Sequence, residues 1–209
     1  MYLCLDTISS AAGITLTSHD STKPTSYLPL DPQNSSEGII PTIDEALKQA
    51  NSTLADLNGV FVIKGPGSFT GLRVGLSVAN QFAHQLKIPI IGLRTDEWWL
   101  KRTNKPDITY LQSMNRAEAY VVRGEKAQII ELEKITPCTW LGQLTDNHCE
   151  KFSSDFKEIT QLDSVESTWQ KITQHLANPD AESRTYDLVE PFYGKDPSIT
   201  KSKKPQGLA

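Results

Sequence analysis

With 209 residues the chain has room for one large domain or two small ones packed together, and 38% hydrophobic residues describe a modest core under a polar surface. A net charge of −4 and a pI near 5.6 do not describe a stand-alone nucleic-acid binder, which carries a basic patch; the one basic cluster, Lys201, Lys203 and Lys204, lies near the C-terminus. No apolar run approaches the roughly 20 residues that span a bilayer, residues 1–6 read as a strand rather than a signal peptide, and three cysteines without a CxxC pair (Cys4, Cys138, Cys149) argue against a disulfide framework, so the expected location is the cytoplasm.

Residues 2–6 form an apolar run ending in an acid, and 11–17 alternate well enough to pair with them across a short turn. With a weaker strand near 26–30, this predicts an antiparallel meander. Ser35 or Ser36 then supplies an N-cap, Glu37 favours the first helical turn, and Pro41 falls early enough to be tolerated. Ile39, Ile40, Ile43, Ala46, Leu47 and Ala50 recur at helical spacing. Asn58-Gly59 breaks the chain before Val60-Phe61-Val62-Ile63, an unalternated run that suggests a strand buried on both faces. The glycine-rich segment 64–75 runs into a second helix ending near Leu86; residues 88–93 give another buried strand and 95–102 a third helix. This strand–helix alternation predicts parallel crossovers after the antiparallel start. Beyond residue 103 the pattern weakens. Residues 108–112, 119–123 and 128–132 read as short strands and 141–163 are polar without a readable period. Residues 165–176 make an amphipathic helix capped by Ser164, and 195–209, rich in Lys, Pro and Ser, read as a tail.

The glycine segment is the most informative feature. A turn from a buried strand into a helix aims backbone N–H groups and a positive dipole end at whatever precedes it, which suits phosphate. Its spacing is neither GxGxxG nor GxxxxGK[ST], and its lysine, Lys64, comes before the glycines. The other reading is packing: Gly71 and Gly75, four apart, share one helix face and let a neighbour approach the backbone. Leu72, Leu76, Ala79, Ala83 and Leu86 cover one side and Val74, Val78 and Phe82 another, so the helix needs two surfaces to bury it. One is the sheet; the other is the first helix, a partner chain, or both. Asp6-Thr7 reads either as an acid and hydroxyl beside a metal-bound phosphate or, better, as a strand-end acid capping a turn, because Ile8 follows and no glycine lies there. His19, His84, His148 and His175 form no HxxxH or HExxH pair, and there is no G-x-S-x-G elbow.

The run Gly65-Pro66-Gly67-Ser68-Phe69-Thr70-Gly71-Leu72-Arg73-Val74-Gly75 is similar to the signature of the TsaB (YeaZ) family. Leu3-Cys4-Leu5-Asp6-Thr7 resembles the family's opening strand and Asp-Thr turn, Ser36-Glu37-Gly38-Ile39-Ile40-Pro41-Thr42-Ile43 its first helix, residues 54–62 its lead into the glycine loop, and Ile88-Pro89-Ile90-Ile91-Gly92-Leu93 the strand that follows. Asn115-Arg116-Ala117-Glu118-Ala119-Tyr120 resembles its second-lobe strand, and Pro191-Phe192-Tyr193 its closing element. The chain departs from the pattern at Ser35, where the family often has His, and at Met114-Asn115, which replace an acid.

The resemblance implies an α/β fold of the actin-like ATPase (ASKHA, ribonuclease H-like) kind, two lobes with mixed sheets and flanking helices, divided into residues 1–103, 104–194 and a tail at 195–209. It implies a non-catalytic scaffold subunit in making N6-threonylcarbamoyladenosine in tRNAs that read codons beginning with A. The expected partners are TsaD, the metal-bearing homologue that transfers the threonylcarbamoyl group, in a heterodimer, and the ATPase TsaE. A homodimer is expected when the chain is alone, and tRNA contact only through the complex. No cofactor or metal is expected on this chain, with ATP/ADP and metal on the partner subunits. The expected partner interface is Ile39, Ile40, Ile43, Leu47, Gly71, Leu72, Gly75, Leu76 and Ala79. Asp6, Thr7, Gly65, Gly67 and Ser68 are expected near nucleotide at the interface of the complex, and no residue is expected to be catalytic. The competing readings are an actin-fold small-molecule phosphotransferase and a peptidase; no nucleophile–base–orienter set supports the latter.

Overall fold

Short apolar runs build the first sheet. In the computed structural model, which describes residues 1–18, 25–31, 35–176 and 187–194, β1 (Tyr2–Asp6) pairs antiparallel with β2 (Gly13–Thr17), and β2 pairs antiparallel with β3 (Ser26–Pro29). β4 (Gly59–Ile63) adds to β1 in parallel and β5 (Ile90–Leu93) to β4 in parallel, giving the order β3-β2-β1-β4-β5. The meander and the later parallel strands are as the sequence pattern predicts. Every residue of β2 and β4 is buried, because the sheet is covered on both sides. α1 (Ser35–Gln49) and α2 (Phe69–Leu86) lie side by side on one face. α5 (Val165–Leu176) covers the other, where Trp169 meets Phe61 of β4 edge-on with centroids 6.4 Å apart. The Ser164 hydroxyl accepts from the Ser167 N–H, the cap expected for α5. α1 starts at Ser35, so Ser36 lies inside the helix rather than capping it.

The second sheet repeats the first. It comprises β6 (Thr109–Ser113), β7 (Glu118–Arg123), β8 (Lys126–Glu131), β9 (Thr139–Gln143) and β10 (Lys157–Glu158), in the order β10-β9-β6-β7-β8. β6–β7 and β7–β8 are antiparallel, while β6–β9 and β9–β10 are parallel. β6 thus takes the place of β1, β9 that of β4 and β10 that of β5. The helices differ: the eighteen-residue α2 links β4 to β5, whereas α4 (Asp146–Cys149), of four residues, lies between β9 and β10. Along β6 the side chains alternate between two environments. Tyr110 joins the main core shared with the first sheet, and Leu111 joins a smaller outer core with Val121, Ile135 and Trp140.

α3 (Thr95–Leu100) wedges between the sheets. Its buried Asp96 pairs with Arg94 at 2.9 Å and accepts from the Tyr120 hydroxyl at 3.4 Å. Burial and the nearby Asp96 push that hydroxyl up to about 12. Residues 187–194 run back over the first sheet as a strap: Val189 exchanges two hydrogen bonds with the Asn80 side chain, and the Phe192 N–H donates to the Lys64 carbonyl at 2.7 Å. The predicted tail at 195–209, with its lysine cluster, and His19 lie outside the described residues.

Candidate functional site

The turn after β1 and the glycine segment after β4 meet at the carboxyl end of the first sheet. Asp6 is fully buried there, and its Oδ1 accepts the Ile8 and Ser9 N–H groups at 3.0 Å each while Oδ2 accepts the Ser9 hydroxyl. This is the strand-end acid capping a turn. Burial raises the Asp6 carboxyl above its ordinary 3.8, outweighing the three hydrogen bonds that favour the charge. Thr7 donates to the Gly71 carbonyl at 2.7 Å.

Each glycine of the segment admits a neighbour from the same chain. A β-carbon at Gly71 would overlap the Thr7 carbonyl oxygen, and one at Gly75 the Thr7 hydroxyl. At Gly67 it would lie 2.8 Å from Ile8 Cδ1. Gly65 adopts φ +108°, open to glycine and strained for other residues, and passes against the Phe192 carbonyl. The Pro66 carbonyl accepts from Thr95 Oγ1 at 2.6 Å and from Gln112 Nε2 at 3.1 Å, so the loop is tied to α3 and to the second sheet. Ser68 caps α2 through the Gly71 N–H at 3.3 Å. Asp6, Thr7, Gly65, Gly67 and Ser68 therefore do come together, but Asp6, Thr7 and Gly65 are buried, and the Gly65 and Pro66 carbonyls are taken up by hydrogen bonds to Thr95 and Gln112.

The expected partner face is corrected by these contacts. Ile39, Ile43, Leu47, Gly71, Leu72, Gly75, Leu76 and Ala79 all face this chain's own core, because the two helical glycines seat Thr7 rather than a foreign helix. Of the expected set only Ile40 is exposed, at 51%. The outward apolar stripe is the other side of α2, where Val74, Val78 and Phe82 are half-buried. Ile40, Val78 and Phe82 line a shallow apolar depression of about 300 Å³ between α1 and α2, rimmed by Ser77 and Gln81. At the start of α2, Phe69 is 57% exposed and stacks on Tyr193 at 5.5 Å, with the Arg73 guanidinium 5.2 Å from the Phe69 ring centre. The periodicity of α2 displays two apolar sides, and its glycines lie on the inward one.

The family model described as TsaD: tRNA N6-adenosine threonylcarbamoyltransferase matches residues 30–199. A relative from Buchnera aphidicola subsp. Schizaphis graminum, named tRNA threonylcarbamoyladenosine biosynthesis protein TsaB, is 47% identical over 57 residues, 27% of this chain and 27% of that protein. The Escherichia coli protein of the same name is 30% identical over 93 residues, 44% of this chain and 39% of its own length. The chain thus spans well under half the length of these curated relatives. A solved Pseudomonas aeruginosa structure, described as an uncharacterized protein with similarity to peptidase YeaZ, superposes with a TM-score of 0.72 at 16% identity, covering 93% of this chain and 99% of that one. The duplicated mixed sheets with flanking helices are those of the actin-like fold. The family match and the glycine segment seated on the β1 turn together settle kinship: the chain belongs to the tRNA N6-adenosine threonylcarbamoyltransferase (TsaD) family, in its TsaB, or YeaZ, branch.

Proposed function

We propose that this chain is a non-catalytic scaffold subunit in the formation of N6-threonylcarbamoyladenosine in tRNA, working in the cytoplasm. Its outward face on α1 and α2 docks a TsaD homologue, TsaE joins the pair, and nucleotide and metal are held by those partners. tRNA is met through the complex, and a second copy of the chain covers the same face when no partner is present. The observation that carries this reading is the apolar depression of Ile40, Val78 and Phe82, set between two helices whose other faces are already spent on the core. Apolar surface rimmed by polar side chains is the usual mark of a protein partner. The relatives named as tRNA threonylcarbamoyladenosine biosynthesis proteins supply the process.

The phosphotransferase reading has less support. A phosphate cradle at this end of the sheet needs room beside the glycines, and here Ile8 packs against Gly67 while Thr7 packs against Gly71 and Gly75. Co-purification of the tagged chain with its host's TsaD homologue tests the proposal. Isothermal titration of the isolated chain with ATP tests the competing one, because a kinase must bind nucleotide by itself.

A further inference from the structure

Two turns of the first sheet reach side chains of the second: the turn after β1, which carries Ser10, and the glycine segment, which carries Pro66. The Ser10 N–H donates to Gln143 Oε1 at 2.7 Å, 133 positions away along the chain. Gln112 Nε2 donates to the Pro66 carbonyl at 3.1 Å. Gln112 of β6 and Gln143 of β9 are register partners on neighbouring parallel strands. Tyr110 shares a face of β6 with Gln112, because side chains two apart lie on one side of a strand.

Tyr110 joins the two glutamines. Its hydroxyl donates to Gln112 Oε1 at 2.8 Å and accepts from Gln143 Nε2 at 3.5 Å. Each amide therefore accepts on its oxygen and donates from its nitrogen, which fixes how both are turned. Followed from Ser10, the four bonds run one way, out of the first sheet, through the second and back to Pro66. Donors aligned head to tail polarise one another, so such a chain holds more firmly than its bonds taken singly. Tyr110 is fully buried and Gln112 is 6% exposed, so a break in the middle strands polar groups away from water. Burial also pushes the Tyr110 hydroxyl well above its ordinary 10, which keeps it a donor. The step from Gln143 to Tyr110, at 3.5 Å, is the weakest of the four.

We infer that Gln143, Tyr110 and Gln112 act as one strut that fixes the turn after β1 and the glycine segment to the second sheet, so that the two attachments open together. The glycine segment leads straight into α2, so the strut also sets the amino end of that helix against the second sheet. A partner docked on α2 would be held in fixed relation to the second sheet. That consequence rests on the function proposed above; the strut itself does not.

The test reads solvent exchange of the Ser10 amide in the full-length, ¹⁵N-labelled chain. Ser10 is an exposed residue whose N–H is held by the other sheet, so its protection reports the attachment. In the unaltered chain this amide is expected to exchange at least about tenfold more slowly than in an unstructured peptide. Tyr110→Phe keeps the ring and removes only the hydroxyl. Gln112→Leu removes the anchor on Pro66, whose carbonyl keeps Thr95. Neither change touches Ser10 or Gln143, yet each is expected to quicken Ser10 exchange about fivefold or more, the loss of roughly one hydrogen bond. The Ile8 and Ser9 amides, bonded to Asp6 within the same turn, should keep their rates. Gln143→Ala gives the rate of full release. The inference is overturned if Ser10 is unprotected in the unaltered chain, or if either folded variant leaves its rate unchanged while Gln143→Ala raises it. It is overturned equally if Ile8 and Ser9 quicken in step with Ser10, since the turn would then be opening by itself. Should Gln112→Leu fail to fold, Tyr110→Phe decides alone.

Discussion

Thr7 donates its hydroxyl proton to the Gly71 carbonyl at 2.7 Å, joining the turn after β1 to the first turn of α2. Its methyl and hydroxyl also fill the space outside Gly75, so two glycines one helical turn apart seat a single threonine. The close approach brings the amino end of α2 down onto the end of β1.

The two glycines are therefore expected to respond differently to one compensating change. Gly75→Ala drives a methyl into the Thr7 side chain and Gly71→Ala drives one into the Thr7 backbone. Overpacking of this kind costs about 1–3 kcal/mol, partly offset by alanine's better helix propensity. Thr7→Ala removes the hydroxyl and methyl that meet Gly75 but not the carbonyl that meets Gly71, and it forfeits the hydrogen bond, worth about 1 kcal/mol. In urea unfolding, Thr7→Ala should rescue Gly75→Ala and should further weaken Gly71→Ala. Simple additivity in both pairs would show that the packing runs otherwise.

The elements with strong periodicity are legible from sequence, β1 and α5 to the residue and α1 within one residue at each end. β1 is an apolar run closed by Asp6, and α5 carries a clear apolar stripe. β9, α4 and β10 are not, because Trp140 and Leu141 are the only strong apolar pair in β9 and β10 is two exposed residues wide. The Ser113–His148 hydrogen bond is equally hidden: the two residues lie 35 positions apart, and only the parallel pairing of β6 with β9 brings them together. The glycines announced a close approach but not its direction, since spacing on a helix does not say which neighbour arrives.

Asp6 should leave a mark on the pH dependence of stability. Burial raises its carboxyl above 3.8 in the folded chain, so between that value and the folded one the native state keeps a proton that the unfolded chain has released. Stability tied to this group is then present below about pH 3.8 and lost as pH rises through the folded value. Asp6→Asn keeps an oxygen for the Ile8 and Ser9 N–H groups and abolishes the charge. A series of urea midpoints should show a flatter decline for Asp6→Asn above pH 3.8, and an unchanged slope would refute the assignment.

The strap at 187–194 is expected to depend on Asn80. This side chain donates to the Val189 carbonyl and accepts its N–H, as a neighbouring strand would. Asn80→Ala leaves both backbone groups without a protein partner, at a cost of about 1–3 kcal/mol. Hydrogen exchange should quicken at the Val189 and Phe192 amides well before it does in β4. Uniform acceleration across the chain would instead assign Asn80 to the global fold.

The proposed docking face can be separated from the core by choice of position. Ile40 is half exposed, so in the free chain Ile40→Glu places its carboxylate in water, and the fold should keep its thermal transition to within the small shifts of a surface change. Ser77 is exposed on the rim of the same depression, and Ser77→Lys should be equally mild. If a TsaD homologue docks on this face as proposed, both charges would be stranded in an apolar seam, where disrupting central packing costs several kcal/mol and affinity falls on the order of a hundredfold. Gly75→Glu should behave unlike either, because Thr7 already occupies the space it needs, and it should unfold the chain rather than release a partner. Lys126→Glu, exposed on β8 of the second sheet, serves as a charge control and should change neither property. Folded Ile40→Glu and Ser77→Lys proteins that still capture the TsaD homologue with unaltered affinity would remove α1 and α2 from the interface.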